Sequence, residues 1–401
     1  MIYFVIFLLL ILLSYHYDYL GKKSYKWCYF YFVLIILIQL TGFRFRIGLD
    51  TIRYESHFID TPNFFNLNSS EFQESNHEPL YLILSALAKT ISSEFWVLQV
   101  LQSILVNTIV FRFIRLNTKN VFLGVLLYYI CLYLNFNCEV MREACAVSML
   151  LLGWEYLKKD KILPFAVFCI IACGFHISGI LLLIIPILKL TPFWKFLKIN
   201  KYTIPILVGI LLVGYFIQAK FFDYLVLLSL GDSFSGKVER YADSSLASGV
   251  LNINGIISSI CRYILLPLLS IYILKRKNKY HFNDNFEPMV LFSLIFAVLT
   301  IPIAIFYRYA NYFMPFAIIA ICQFVYTPKL YLTKKKYVRL KFFLSWYIIL
   351  FPLLFFQIYG FNAKEGDSRY KTYMRYYPYS SIFTKEKDAL RESLFNYRNA
   401  I

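Results

Sequence analysis

The sequence predicts an all-α fold, a polytopic integral membrane bundle of about ten to twelve spanning segments around an outward-facing polar cavity. Three observations predict it. Of the 401 residues, 59% are hydrophobic and only 16% charged, and the mean hydropathy is +0.60. Apolar runs of membrane length recur from end to end, and basic residues gather in the short stretches between them. Aromatic residues reach 20%, which suits interfacial belts and surfaces on which sugars stack.

Taken in order, residues 2–16 form an apolar run with neither a basic n-region nor a small-residue cleavage site, and so read as an uncleaved first helix. Residues 27–43 follow the Lys22, Lys23, Lys26 cluster as a second span. Residues 79–92 are too short and too polar for a confident span. A crossing there would put the basic stretches from Arg112 onward outside, so they are taken not to cross. Spans follow at 94–114, 120–136 and 141–157, the last two divided by polar Asn135, Asn137, Glu139 and Arg142. Residues 163–190 could be one tilted helix or a short, re-entrant-like hairpin turning around Phe175-His176. Further spans are expected at 203–219, 254–274, 287–305, 308–326 and 340–360. The expected organisation is a single transmembrane domain over 1–360 and a polar, aromatic tail over 361–401.

Loop charge decides the hairpin and the orientation. With the N-terminus outside and 163–190 turning back, the inside stretches collect Lys22, Lys23, Lys26, Arg112, Arg115, Lys119, Lys158, Lys159 and Lys161. They also collect Lys189, Lys195, Lys198, Lys201, Lys275–Lys279 and Lys329–Lys341, against only Asp18 and Asp160. A single helix at 163–190 would expose the Lys189–Lys201 cluster outside. Both termini, the loops 44–78 and 220–253, and the tail are therefore expected outside. The net charge of +18 follows this orientation pattern, so nucleic acid is excluded as a partner. The eight cysteines contain no paired CxxC, so neither a zinc site nor a disulfide framework is expected, and no metal or cofactor is assigned.

An ionisable side chain at membrane depth costs a few kcal/mol or more, so those retained there point to a polar site. Glu78, Glu139, Arg142, His176 and Arg308 lie within or at the ends of apolar segments, all on the outer side in this topology. The segment Arg44-Phe-Arg46-Ile-Gly48-Leu-Asp50 joins them there, with Tyr54 and Glu55 close behind. Arginine suits a pyrophosphate because its planar fork donates two parallel hydrogen bonds and keeps its charge. Asp50 could fix an arginine or accept a sugar hydroxyl proton. If Glu139, Arg142 and Glu143 shared one helix, their i, i+3 and i+4 spacing would put them on one face, and an ion pair between Arg142 and Glu143 would be open to them. His176, at the hairpin tip, offers an imidazole for base or hydrogen-bond work. Arg308 and Tyr312 stand one helical turn apart. No Gly-rich phosphate loop, HExxH, GxSxG or dinucleotide fingerprint occurs.

Read together, Arg46-Ile-Gly48-Leu-Asp50 with Tyr54 and Phe58, Glu78-Pro79, Arg142 opening a small-residue helix, Phe175-His176-Ile-Ser178, and Arg308 with Tyr312-Phe313 resemble the EpsG-like bacterial polysaccharide polymerases, relatives of the Wzy-type O-antigen and capsule polymerases. The resemblance runs from about residue 40 to 330, with Glu143 and Thr51 departing from the family pattern. It implies a metal-independent membrane glycosyltransferase at the outer face of the bacterial cytoplasmic membrane. The growing glycan would pass from an undecaprenyl-pyrophosphate carrier to the next lipid-linked repeat unit. Arg46, Asp50, Glu139, Arg142, His176 and Arg308 are then the catalytic candidates, with His176 or Glu139 as base. Arg44, Tyr54, Glu78 and Tyr312 are the substrate-binding candidates. Membrane lipid, a chain-length regulator and a flippase are the candidate partners. The rival classes are a flippase of lipid-linked sugars, against which no paired half-repeats are found, and another membrane transferase such as an O-antigen ligase.

Overall fold

Uninterrupted Leu, Ile, Phe and Val runs leave the backbone nothing to bond but itself, and each run forms a helix. The computed structural model describes residues 2–74, 77–221, 260–265, 267–268, 270–271, 283–325, 375–389 and 391–393. Among the described residues there is no strand, only an isolated antiparallel bridge between Arg44 and Ser381. Three helical stretches among the described residues, Ile2–Tyr19, Trp96–Asn117 and Ala304–Gln323, are long and apolar enough to cross a membrane, and several shorter apolar helices accompany them. The chain divides into two compact units, Met1–Pro186 with Tyr331–Ile401, and Ile187–Leu330.

The first unit contains α1 (Ile2–Leu13), α2 (Lys26–Gly42), α3 (Leu49–Asp60), α4 (Ser69–Glu74), α5 (Pro79–Ile91), α6 (Trp96–Asn117), α7 (Val121–Tyr128), α8 (Met141–Leu157) and α9 (Ile162–Phe175). Helix α1 buries Tyr3, Phe7 and Leu10 on one face and packs on α7. Helices α2, α6, α8 and α9 follow one another across the unit, and α5 rests on α6 and α9. At 22 residues α6 is about 33 Å long, enough for the hydrocarbon core, whereas the 13 residues of α5 give only about 20 Å.

The expected hairpin is visible. Helix α9 ends at Phe175, His176 is extended, and a 3₁₀ helix at Ile177–Leu183 folds back onto α9. The return approaches so closely that a Cβ on Gly179 would lie 2.8 Å from the Ala172 carbonyl carbon and the Cys173 nitrogen. The run at 120–136 is not one α-helix. It widens into π-helical turns at Tyr129–Tyr133 and Asn135–Glu139, then breaks at Val140 before α8 begins. Buried side chains satisfy the displaced backbone. Asn137 donates to the Tyr133 carbonyl at 2.8 Å, Gln102 donates to the Phe136 carbonyl at 3.2 Å, and Asn107 bonds Asn137 at 3.0 Å.

Polar contacts define two ends of this unit. At one end Asp18 pairs with Lys26 at 3.2 Å and accepts from the Leu123 amide at 2.8 Å, while Asn117 accepts from Trp154 and Lys158. Lys26 also donates to the Lys119 carbonyl at 3.0 Å, so basic stretches from three loops meet there. At the other end lie the start of α1, the end of α2 and the described part of the tail. Tyr3 donates its hydroxyl to the Tyr376 carbonyl at 3.0 Å, and Ile382 N–H and Phe45 N–H bond the Phe43 and Ser380 carbonyls, each at 2.9 Å. Residues 375–382 are thus threaded against residues 43–48 of the same unit.

The second unit contains α11 (Thr203–Ile217), α12 (Phe286–Leu299) and α13 (Tyr307–Val325), with α12 packing on both of the others and on the turn that leads into α13. Between the units' helices in sequence lies α10 (Ile184–Leu190). The expected span at 340–360, the loop at 222–253, most of 254–274 and the basic clusters at 275–279 and 329–341 lie outside the described residues.

Candidate active site

Four elements deliver polar side chains to the same end of the first unit: the loop into α3, the start of α5, the break before α8, and the hairpin tip. Helix α3 is a feature that the polar loop at 44–78 conceals. It is amphipathic, burying Leu49, Thr51, Ile52 and Phe58 and leaving Arg53, Tyr54 and His57 on or toward its open side. Phe58 and Tyr81 anchor the apolar cluster beneath, against which Tyr54 and Phe175 pack.

Glu139 fixes where α3 begins. Its two carboxylate oxygens accept from the Leu49 and Asp50 amides at 3.2 and 3.5 Å, placing a negative charge at the helix N-terminus. Gly48 makes the approach feasible, with φ of +92° and Cys138 directly against it. Thr51 adds a hydrogen bond to the Cys138 carbonyl at 2.8 Å. Because α8 begins only at Met141, Glu139 lies before the break. The expected shared face of Glu139, Arg142 and Glu143 does not form.

Arg142 turns instead to Glu78, the residue that precedes Pro79 at the start of α5. The ion pair is 2.8 Å long, with side-chain exposures of 23% for Arg142 and 11% for Glu78, so it is neither solvated nor sealed. The other oxygen of Glu78 accepts from the Ile177 amide at 3.2 Å, tying the hairpin tip to the same carboxylate. The Arg142 guanidinium lies 5.9 Å from the centroid of the Tyr54 ring. Arg142, Glu78 and Tyr54 therefore converge from three separate segments, together with the tip.

Two residues not singled out from sequence belong to this group. The His77 ring stands 4.5 Å from that of His57, T-shaped, and 5.5 Å from Tyr81, and it stacks over Tyr54 at 6.4 Å. The signal that could have found His57 is its i, i+4 spacing from Arg53 on a helix whose buried face is carried by Leu49, Ile52 and Phe58.

The remaining candidates serve other contacts. Arg44 is buried, donating to the Thr41 carbonyl and lying 3.3 Å from the Met141 sulfur, the contacts of a structural anchor rather than of a substrate ligand. Arg46, at φ +51°, is clamped by Glu55 at 2.5 Å and by both oxygens of Glu392 at 2.6 and 2.7 Å, so these carboxylates, rather than Asp50, are its orienting partners. The Arg46 hydrogen bond holds the Glu392 carboxyl below its ordinary pKa. Arg391 completes the clasp, donating to the Arg46 and Pro378 carbonyls at 3.1 and 2.7 Å. At the tip, His176 caps the 3₁₀ helix. Its Nδ1 accepts from the Ser178 amide at 3.1 Å, which leaves Nε2 to carry the hydrogen of the neutral ring. That arrangement serves structure better than proton abstraction. Arg308 and Tyr312 lie in the second unit, one turn apart near the start of α13, with Tyr312 buried and Arg308 half-buried.

The chain matches the EpsG family over residues 27–381. No curated protein and no solved structure matches it.

Proposed function

Because the chain belongs to the EpsG family, we propose that it is a membrane glycosyltransferase transferring a growing glycan from an undecaprenyl-pyrophosphate carrier to a lipid-linked repeat unit. Family membership and the apolar helices support the coarser statement, a membrane protein with a polysaccharide polymerase-type role. The finer reading is carried by one observation, the Arg142–Glu78–Tyr54 group beside the hairpin tip.

Arg142 occupies the first turn of α8, where backbone N–H groups and the helix dipole already favour an anion. A pyrophosphate arriving there can take the guanidinium fork from Glu78, since two parallel bonds to a doubly charged group exceed one to a carboxylate. As the bond from the anomeric carbon to the pyrophosphate oxygen breaks, charge develops on that oxygen, and a fixed guanidinium stabilises it. Arg308, in the first turn of α13 within the second unit, is proposed on the same ground, its place at the start of an apolar helix, as an anion ligand in its own right. With arginines supplying the positive charge, this reading requires no metal.

The proposed site lies at the outer face of the bacterial cytoplasmic membrane, with both termini outside. Supporting this, Tyr3 and residues 375–382 share the end of the first unit that holds Arg142, while Lys26, Lys119 and Lys158 share the other. In a cysteine-free background, a cysteine at position 68 should react with an impermeant maleimide applied from outside, and one at 335 should not. Labelling at 335 would overturn the orientation.

Deleting the gene should leave surface glycan as single repeat units in place of a ladder on a gel. Loss of all surface glycan would instead favour a flippase, and accumulation of lipid-linked polymer a ligase.

A further inference from the structure

We propose that His57, with His77 packed against it, accepts the proton of the attacking sugar hydroxyl at the Arg142 site. The inference rests on the reading above and supplies the base that reading lacks. Glu139 is committed to the α3 amides, and Nδ1 of His176 to the Ser178 amide. His57 is placed differently. It lies on the open side of α3, one turn after Arg53, and is half-buried rather than sealed. Its ring meets that of His77 at 4.5 Å, and His77 is the neighbour of Glu78, which holds Arg142. Tyr54, on the preceding turn of α3, is shared by both groups, stacked with His77 and facing the Arg142 guanidinium. His77, packed against the base, and Arg142, the pyrophosphate ligand, thus meet the same tyrosine ring.

The step balances without a co-reactant. The acceptor hydroxyl oxygen bonds to the anomeric carbon, and the bond from that carbon to the pyrophosphate oxygen breaks, its electron pair leaving on phosphate beside Arg142. The hydroxyl proton passes to the His57 imidazole and from there to solvent.

The charged and titratable groups around His57 decide its protonation. On its own helix are Arg53 and Asp60; His77 stands before α5 and Lys89 near the end of α5, where it donates to the Phe58 and Ile59 carbonyls; and Arg142 opens α8. Burial first, then Arg53 and Arg142, lower the His57 pKa from the ordinary 6.5, while Asp60 opposes them. A lowered pKa leaves the ring neutral, and able to accept a proton, throughout the neutral range.

The test uses full-length protein in detergent and lipid-linked repeat units extracted from a strain lacking the gene. Wild-type polymerisation should fall on the acid side with a midpoint below 6.5. His57→Gln should slow it about a hundredfold or more and remove the acid limb, since general bases contribute roughly that much. Arg53→Gln should move the limb to higher pH and Asp60→Asn to lower pH, shifts that a merely structural histidine would not produce. A His57→Gln rate within a few fold of wild type, or an acid limb that both neighbouring substitutions leave in place, would overturn the inference while leaving the polymerase reading intact. Should His57→Gln fail to accumulate, the two limb shifts decide. Absence of polymerisation by wild type would sink the polymerase reading, and the base assignment with it.

Discussion

Arg142→Lys should collapse the glycan ladder to short chains while the protein accumulates at wild-type level in a strain lacking the gene. The substitution keeps the charge, so any loss measures geometry. Lysine offers a rotating ammonium in place of a planar fork and forfeits the broad face that Arg142 presents to Tyr54 at 5.9 Å. It can still reach Glu78, which preserves the link between the start of α5 and the hairpin tip. What it cannot do is donate two parallel bonds to a pyrophosphate. A hydrogen bond to a charged group contributes roughly 1.5–3 kcal/mol, or about ten- to a hundredfold in rate if it acts in the transition state. Polymerisation multiplies the defect, because each added unit repeats the step. Arg308→Lys, in the second unit, tests the anion-binding role proposed for the start of α13 by the same ladder measurement. Full-length ladders from Arg142→Lys would return this arginine to the role of an interfacial anchor. Glu78→Gln is the informative companion. It removes the competing negative charge yet keeps an acceptor for the Ile177 amide, so any defect should be the milder one.

The elements that could be read from sequence are those whose signal is local. Residues 144–154 are small or apolar throughout, and the helix runs Met141–Leu157 as expected. The turn at Phe175-His176 was legible through charge, since only a hairpin keeps Lys189 and its neighbours with the other basic loops. The start of α3 was not, because its N-terminal partner Glu139 comes from a segment 90 residues away. The same holds for Arg46, whose φ of +51° is supported by Glu392, 346 residues distant. No spacing rule links such pairs. His57 and His77 were passed over for a different reason. Attention to ionisable groups in apolar runs favours residues that are costly to bury, and these two sit in a polar loop where a histidine costs little. Only the packing of Phe58 and Tyr81 beneath them brings that loop over the site. Conversely, Asn135, Asn137 and Glu139 gave a correct alarm with an incomplete cause: Asn137 is spent on the π-helical backbone and Glu139 on α3.

Gly48→Ala should cost the protein several degrees of thermal stability in detergent and most of its polymerisation activity. At φ +92° and ψ +136° an L-residue is strained, by roughly 1–3 kcal/mol. The added methyl also has nowhere to go, since an ideal Cβ would lie 2.5 Å from the Cys138 carbonyl oxygen and 2.9 Å from the Cys138 Cβ. Overpacking of this kind costs typically about 1–3 kcal/mol more. Relief requires the start of α3 to lift from the π-helical turn, which stretches the Leu49 and Asp50 bonds to Glu139 and the Thr51 bond to Cys138. Tyr54 and His57 ride on that helix, so lifting it draws them from Arg142. Gly209→Ala, in the middle of α11, is the control: its Cβ would meet nothing within 4 Å. A helical alanine there should be neutral or stabilising by up to about 1 kcal/mol. Melting both variants by fluorescence-detected size exclusion separates the two cases. Equal midpoints for Gly48→Ala and wild type would mean that α3 is not held where the Cys138 contact puts it, and the convergence of Tyr54, His57 and Arg142 would lose its structural basis.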